Sequence, residues 1–177
     1  MRIDLDARIR LADGTDAGVL QWAIVDPQTM LVTHFVVASD ADGDPDIVVP
    51  RDEVDRATVE GDVLVLQVDA AALERFGTEV PVESGRIGVG KGVAVVDATG
   101  ENAGVADELF YEEHTGVLRG FTVRLGGPLR TLLGGGDCVS VAAHQVERIG
   151  ESTIYLNVSR DKLPALDPGA SFTPNAG

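Results

Sequence analysis

The chain repeats itself. Asp13-Gly14-Thr15-Asp16-Ala17-Gly18-Val19 returns as Thr99-Gly100-Glu101-Asn102-Ala103-Gly104-Val105, 86 positions later. The register persists: Thr29 matches Thr115, Phe35 matches Phe121 and Val37 matches Val123. With small changes of offset, Val54 then matches Val146, Val68 matches Val158 and Leu73 matches Leu163. Keeping both glycines and the apolar spacing over such a length marks two copies of one folding unit. Each copy, at roughly 80 residues, buries only about 60–65% of its unfolded surface and is marginal alone. The two copies are expected to pack on each other or on a second chain.

The local pattern of each copy is β. Ala7 to Leu11 alternates and ends at Ala12-Asp13-Gly14, a tight-turn signal because glycine accepts a positive φ. Ala17 to Asp26 and Met30 to Ala38 form a predicted hairpin around Asp26-Pro27-Gln28-Thr29. Ile47 to Pro50 and Val63 to Val68 are further short strands, and Asp69 to Phe76 is a brief helix capped by Asp69. The second copy repeats the programme with Ala103 to Glu112, Val117 to Leu125, Val139 to Val141 and Ile154 to Val158. There Ser159 is expected to cap a short helix through Leu166. Residues 1–76 and 87–166 are the two units, 77–86 a linker and 167–177 a disordered tail. Many short strands with regular turns describe an all-β barrel or sandwich.

Charge excludes one class of partner. The 29 acidic and 14 basic side chains leave a formal −15, which repels phosphate backbones and anionic headgroups. A single Cys138 allows neither an internal disulfide nor a cysteine metal cluster. No apolar run reaches the ~20 residues that a membrane helix needs. The first residues, Met1-Arg2-Ile3-Asp4-Leu5-Asp6, lack a signal-peptide layout, so a cytoplasmic protein is expected.

The run Gly14, Gly18-Val19, a strand, Asp26-Pro27-Gln28-Thr29, a strand through Phe35-Val36-Val37 and then Ile47-Val48-Val49-Pro50 resembles the PRC-barrel family. This is the module of the cytoplasmic part of the photosynthetic reaction centre H subunit. A related barrel ends the ribosome-maturation factor. Gly100, Gly104-Val105, Thr115-Gly116 and Gly120-Phe121-Thr122-Val123 keep the same order in the second copy, which departs at Ala142-Ala143, where Pro50 has no counterpart. The resemblance implies two tandem small antiparallel β-barrels, each closed by a short helix. It also implies a docking module, with accessory roles in photosynthetic complexes or ribosome maturation as alternatives.

Little in the chain points to catalysis. Gly88-x-Gly90-Lys91-Gly92 lacks the order of a phosphate loop and runs into a strand. Asp40, Asp42, Asp44 and Asp46 suggest a cation loop, but Pro45 stands where a calcium loop needs glycine and Arg51 where it needs glutamate. A cation- or small-ligand-binding role for loop 40–46 is therefore the alternative, and no cofactor or metal is expected. His34, His114 and His144 share no ligand spacing. A Cys138–His144 pair has no supporting spacing, and no serine has nucleophile-elbow surroundings.

Binding fits better. Val32, His34 and Val36 at strand spacing, with Trp22, make the first copy apolar where the second carries Leu118, Gly120, Thr122 and Glu108. This face packs either between the copies or against another chain, a homodimer or a protein partner. Gly126 to Gly136 is a second candidate, in which Leu129, Leu132 and Leu133 offer apolar anchors and Arg124 and Arg130 orient an acidic partner. The expected function is non-enzymatic protein binding or assembly, with neither direct nucleic-acid contact nor membrane insertion.

Overall fold

A computed structural model of the chain describes residues 1–39, 46–60, 62–79, 87–126 and 137–163. The strands of the first half are β1 (Arg2–Asp4), β2 (Arg8–Leu11), β3 (Asp16–Asp26), β4 (Leu31–Ala38), β5 (Ile47–Pro50), β6 (Thr58–Glu60) and β7 (Val63–Leu66). Those of the second half are β8 (Ile87–Gly90), β9 (Ala94–Val96), β10 (Asn102–Tyr111), β11 (Leu118–Arg124), β12 (Cys138–Ala142), β13 (Val146–Ile149) and β14 (Thr153–Leu156). Helices are brief: α1 (Arg51–Asp55), α2 (Ala70–Leu73) and three single 3₁₀ turns at Glu74–Phe76, Ala143–Gln145 and Arg160–Lys162. None of the described helices is long and apolar enough to cross a membrane.

Two seven-stranded sheets result, and they have the same order. One runs β5-β4-β3-β2-β7-β6 and the other β12-β11-β10-β9-β14-β13. The seventh strand of each comes from the other half of the chain: β8 pairs antiparallel with β3, and β1 pairs antiparallel with β10. Arg2 meets Phe110 as Gly88 meets Ile24, and Asp4 meets Glu108 as Gly90 meets Trp22. Both pairings follow the 86-residue shift of the repeat. The halves therefore exchange their first strands around a pseudo-twofold axis. That axis passes through a bridge between the equivalent residues Leu31 and Val117. Val32 N–H donates to Gly116 at 2.8 Å, and Leu118 N–H donates to Met30 at 2.8 Å, each the image of the other.

The all-β class holds, but closed antiparallel barrels do not. The end strands of each order are not paired with one another, so both sheets are open. β2 runs parallel to β7, and β9 parallel to β14, so both sheets are mixed. The reason lies in the connection: after β5, α1 and the β6–β7 hairpin reverse the chain so that β7 arrives alongside β2 in its own direction. Closure is also unnecessary for burial. A single apolar cluster draws on both halves, including Ile3, Leu20, Phe35, Leu66, Leu109, Phe121 and Ile154. Each sheet thus covers its apolar face with the other half, which is the expected answer for units too small to fold alone. The Phe35 and Tyr111 rings meet across this core, centroids 5.9 Å apart and inclined by 45°.

The repeated glycines have a steric origin. Gly18 has φ +117°, and a Cβ there would lie 2.0 Å from the Ala38 carbonyl oxygen; Gly104 has φ +138° and the same conflict with Arg124 at 2.3 Å. Only glycine permits that backbone and that approach. Asp69 caps α2 as expected, its carboxylate accepting from Ala72 N–H at 2.8 Å. Ser159 does not cap its turn, because its hydroxyl donates to Asp161 instead. The cap comes from far along the chain: Asp97 accepts from Arg160 N–H at 3.1 Å.

Candidate docking groove

The strand exchange creates two equivalent junctions, and a groove lies at one of them. Where β1 lies on β10 beside the β6–β7 hairpin, a groove of about 610 Å³ is lined by Ile3, Ala7, Val59, Val63 and Leu64. Arg2, Asp4, Asp62, Glu108 and Glu113 stand around it, with Met1. β1 explains the division. Its alternation puts Ile3 into the core, only 1% exposed, and leaves Arg2 and Asp4 on the other face.

The charges here are mutually adjusted. Asp4 is directly opposite Glu108, an unfavourable pairing that neighbouring cations offset. Arg2 bridges to Glu108, and Lys91 reaches Asp6 at 2.5 Å, Asp107 at 3.5 Å and Asp4 at 3.6 Å. Burial, then the adjacent Asp6 carboxyl, raises Asp4 to about 6. Val59 stands apart: at 60% exposure it is the exposed large hydrophobic side chain among the described residues.

Beside the groove, a polar network ties the halves together. Tyr111 donates its hydroxyl to Asp55 at 2.8 Å, and His114 N–H donates to the same carboxylate at 3.1 Å. Arg51 is 3.3 Å from Asp55 and donates to the His114 carbonyl at 3.0 Å. Burial, then the bond to Asp55, raises the Tyr111 phenol far above its ordinary value. Gly116 makes room for the arginine, since a Cβ there would lie 2.0 Å from a guanidinium nitrogen. Arg51, Asp55, Tyr111 and Val59 all escape sequence reasoning. Only Val59, apolar between Thr58 and Glu60 in a short segment, leaves a trace there.

The first surface expected from sequence is split. Trp22, His34 and Val36 lie on the outer face of the first sheet, where Trp22, Ile24, Val36 and Val48 form a small separate cluster. Val32 is not among them: it is fully buried in the main core with Phe35 and Val37. A bulge between Val32 and His34 explains this, because one extra residue in β4 reverses the side of everything before it. Val36 is 7% exposed, Ile24 5% and Val48 3%, so this face is covered. Trp22 lies over β8, where a Cβ on Gly90 would come within 2.6 Å of its ring.

Of the second surface, Arg124 bridges to Asp107 and lines a pocket of about 380 Å³ with Leu125, Asp137 and Cys138. Leu129, Arg130, Leu132 and Leu133 lie outside the described residues, as does the acidic loop apart from Asp46. Burial raises the Cys138 thiol above its ordinary value. Cys138 opens β12 and His144 follows its end, roughly 15 Å or more along an extended chain. Gly88 and Gly90 belong to strand β8, and the carboxylates of Asp4, Asp6 and Asp107 engage Lys91, so no phosphate loop forms. Among the described residues, no group of His, Cys, Asp or Glu is arranged to hold a metal ion. Compared with protein-family models and with curated proteins, the chain matches none.

Proposed function

We propose that this chain is a non-enzymatic docking module of the PRC-barrel type that receives a protein segment in the groove between β1 and β6–β7. The groove's composition carries the reading: an apolar floor with Val59 exposed at its edge, bordered by charge. An apolar side chain left in water at the lip of a concave surface gains free energy when a partner covers it. The Trp22–Val36 face is the weaker candidate, because its aliphatic members are already covered. The two PRC-barrel-like units of this reading rest on the repeated glycines, hairpins and strand order.

Selection from a random-peptide display library on the immobilised full-length protein tests the reading, with Val59→Ser as the counter-selection bait. Peptides that bind the wild type and lose about tenfold on the variant support it. Failure to enrich any Val59-dependent peptide overturns it.

A further inference from the structure

We infer that the occupant of the groove is an extended basic segment carrying at least one apolar side chain; this rests on the docking reading and adds the chemistry of the partner. Two observations carry it. The first is backbone. β6 ends the first sheet's order, and β1 is joined to the second sheet only through β10, so each of these groove-lining strands has an edge that no described strand pairs. Glu60 and Val63 pair across a two-residue connection, and residues flanking such a turn exchange both backbone bonds. The alternation of the ladder then directs the N–H and C=O of Val59 to the free edge. An extended segment satisfies such groups, and its alternate side chains fall into the groove.

The second observation is charge. Asp4, Asp62, Glu108 and Glu113 face the groove against the Arg2 guanidinium and the Met1 ammonium. The chain as a whole carries −15, so its field favours cationic partners and repels acidic ones and phosphate backbones. Arg2 already shows how Glu108 receives a guanidinium, and at 56% side-chain exposure it is displaceable. A partner arginine competes for that carboxylate, while the partner's apolar side chain meets Val59 and the floor beyond it.

The test uses the full chain and three labelled peptides of sequence KVRVKV, EVEVEV and KSRSKS, followed by fluorescence anisotropy at 50 mM and 300 mM salt. KVRVKV should bind and weaken as salt rises, and the other two should bind at least tenfold more weakly. Val59→Ser should cost about tenfold and Glu108→Gln about threefold, whereas Arg2→Ser should tighten binding by about threefold. Opposite effects of Arg2→Ser and Glu108→Gln are the signature that a folding defect does not mimic. No binding of KVRVKV at 1 mM, or equal binding of EVEVEV, overturns the inference. If the display selection still enriches neutral or acidic peptides that depend on Val59, docking stands and the basic chemistry falls. If it enriches none, both fall.

Discussion

The two strand-exchange junctions share a backbone and differ in almost every side chain that matters. At one, β1 brings Arg2 and Asp4 against Glu108; at the other, β8 brings Gly88 and Gly90 against Trp22, in the same register. The β6–β7 hairpin at the first has Val59 paired with Leu64, and its counterpart in the second half has Ile149 paired with Ile154. Val59 is 60% exposed and Ile149 is 5% exposed. Backbone hydrogen bonds do not depend on side-chain identity, so the repeat can hold both junctions in place while their surfaces diverge. At one, an indole lies over two glycines. The other holds a groove bordered by charge, and half-exposed ion pairs contribute little to stability.

The largest expected effect comes from putting a side chain where the glycine-lined junction has none. A Cβ on Gly90 would lie 2.6 Å from both the Gln21 carbonyl oxygen and the Trp22 ring. Gly90→Val should therefore cost about 3 kcal/mol or prevent folding, read from the urea midpoint. Asp4→Val, at the equivalent place on β1, should cost less than about 1 kcal/mol because one half-exposed ion pair and one exposed hydrogen bond from Asp6 N–H are lost. Equal losses would show that the junctions are alike. Ile149→Ala follows at about 3 kcal/mol, the usual result for a buried aliphatic side chain.

A second difference between the halves is electrostatic. Asp97 is 4% exposed and holds Thr99 N–H, the Thr99 hydroxyl, Glu101 N–H and Arg160 N–H. The first half has Leu11 at the matching position, buried and apolar. Burial alone would raise the Asp97 carboxyl, but these donors outweigh it and lower it to about 2. A carboxylate depressed in the folded state stabilises above its unfolded value near 3.8, and that contribution is lost as pH falls toward 2. Asp97→Asn should cost about 2 kcal/mol at pH 7. The gap from wild type should close between pH 4 and pH 2, and a pH-independent gap would assign the loss to packing.

The repeat made the central hairpin of each half legible, because glycine placement and hairpin spacing are local properties. β3, β4, β10 and β11 lie within a residue or so of the segments that alternation and turn chemistry mark. The exchange was not legible. Ile3 and Val89 are short apolar stretches that suit either sheet, and nothing local says which half supplies the partner strand. The parallel pairing of β2 with β7 is non-local for the same reason. The Trp22 face was half legible. Period-two spacing joined Val32 to Val36, but a bulge is invisible in residue types, and it moved Val32 to the core. The groove needs both exchange and hairpin to exist, so its residues carry no shared sequence motif.

The smallest expected effect is also the one that separates recognition from structure. Val59→Ala removes two methyl groups that the fold leaves mostly in water, so burial contributes little and only β-propensity is lost. The unfolding midpoint should correspond to a change below about 0.5 kcal/mol, against about 3 for Ile149→Ala at the matching site. A loss near that of Ile149 would mean that Val59 is covered in solution. Repeating both titrations at ten times the protein concentration then decides what covers it. Coverage by a second copy makes the midpoint rise with concentration, and coverage within one chain does not. A small, concentration-independent change leaves Val59 as a side chain the fold does not use, at the mouth of a groove that a partner can.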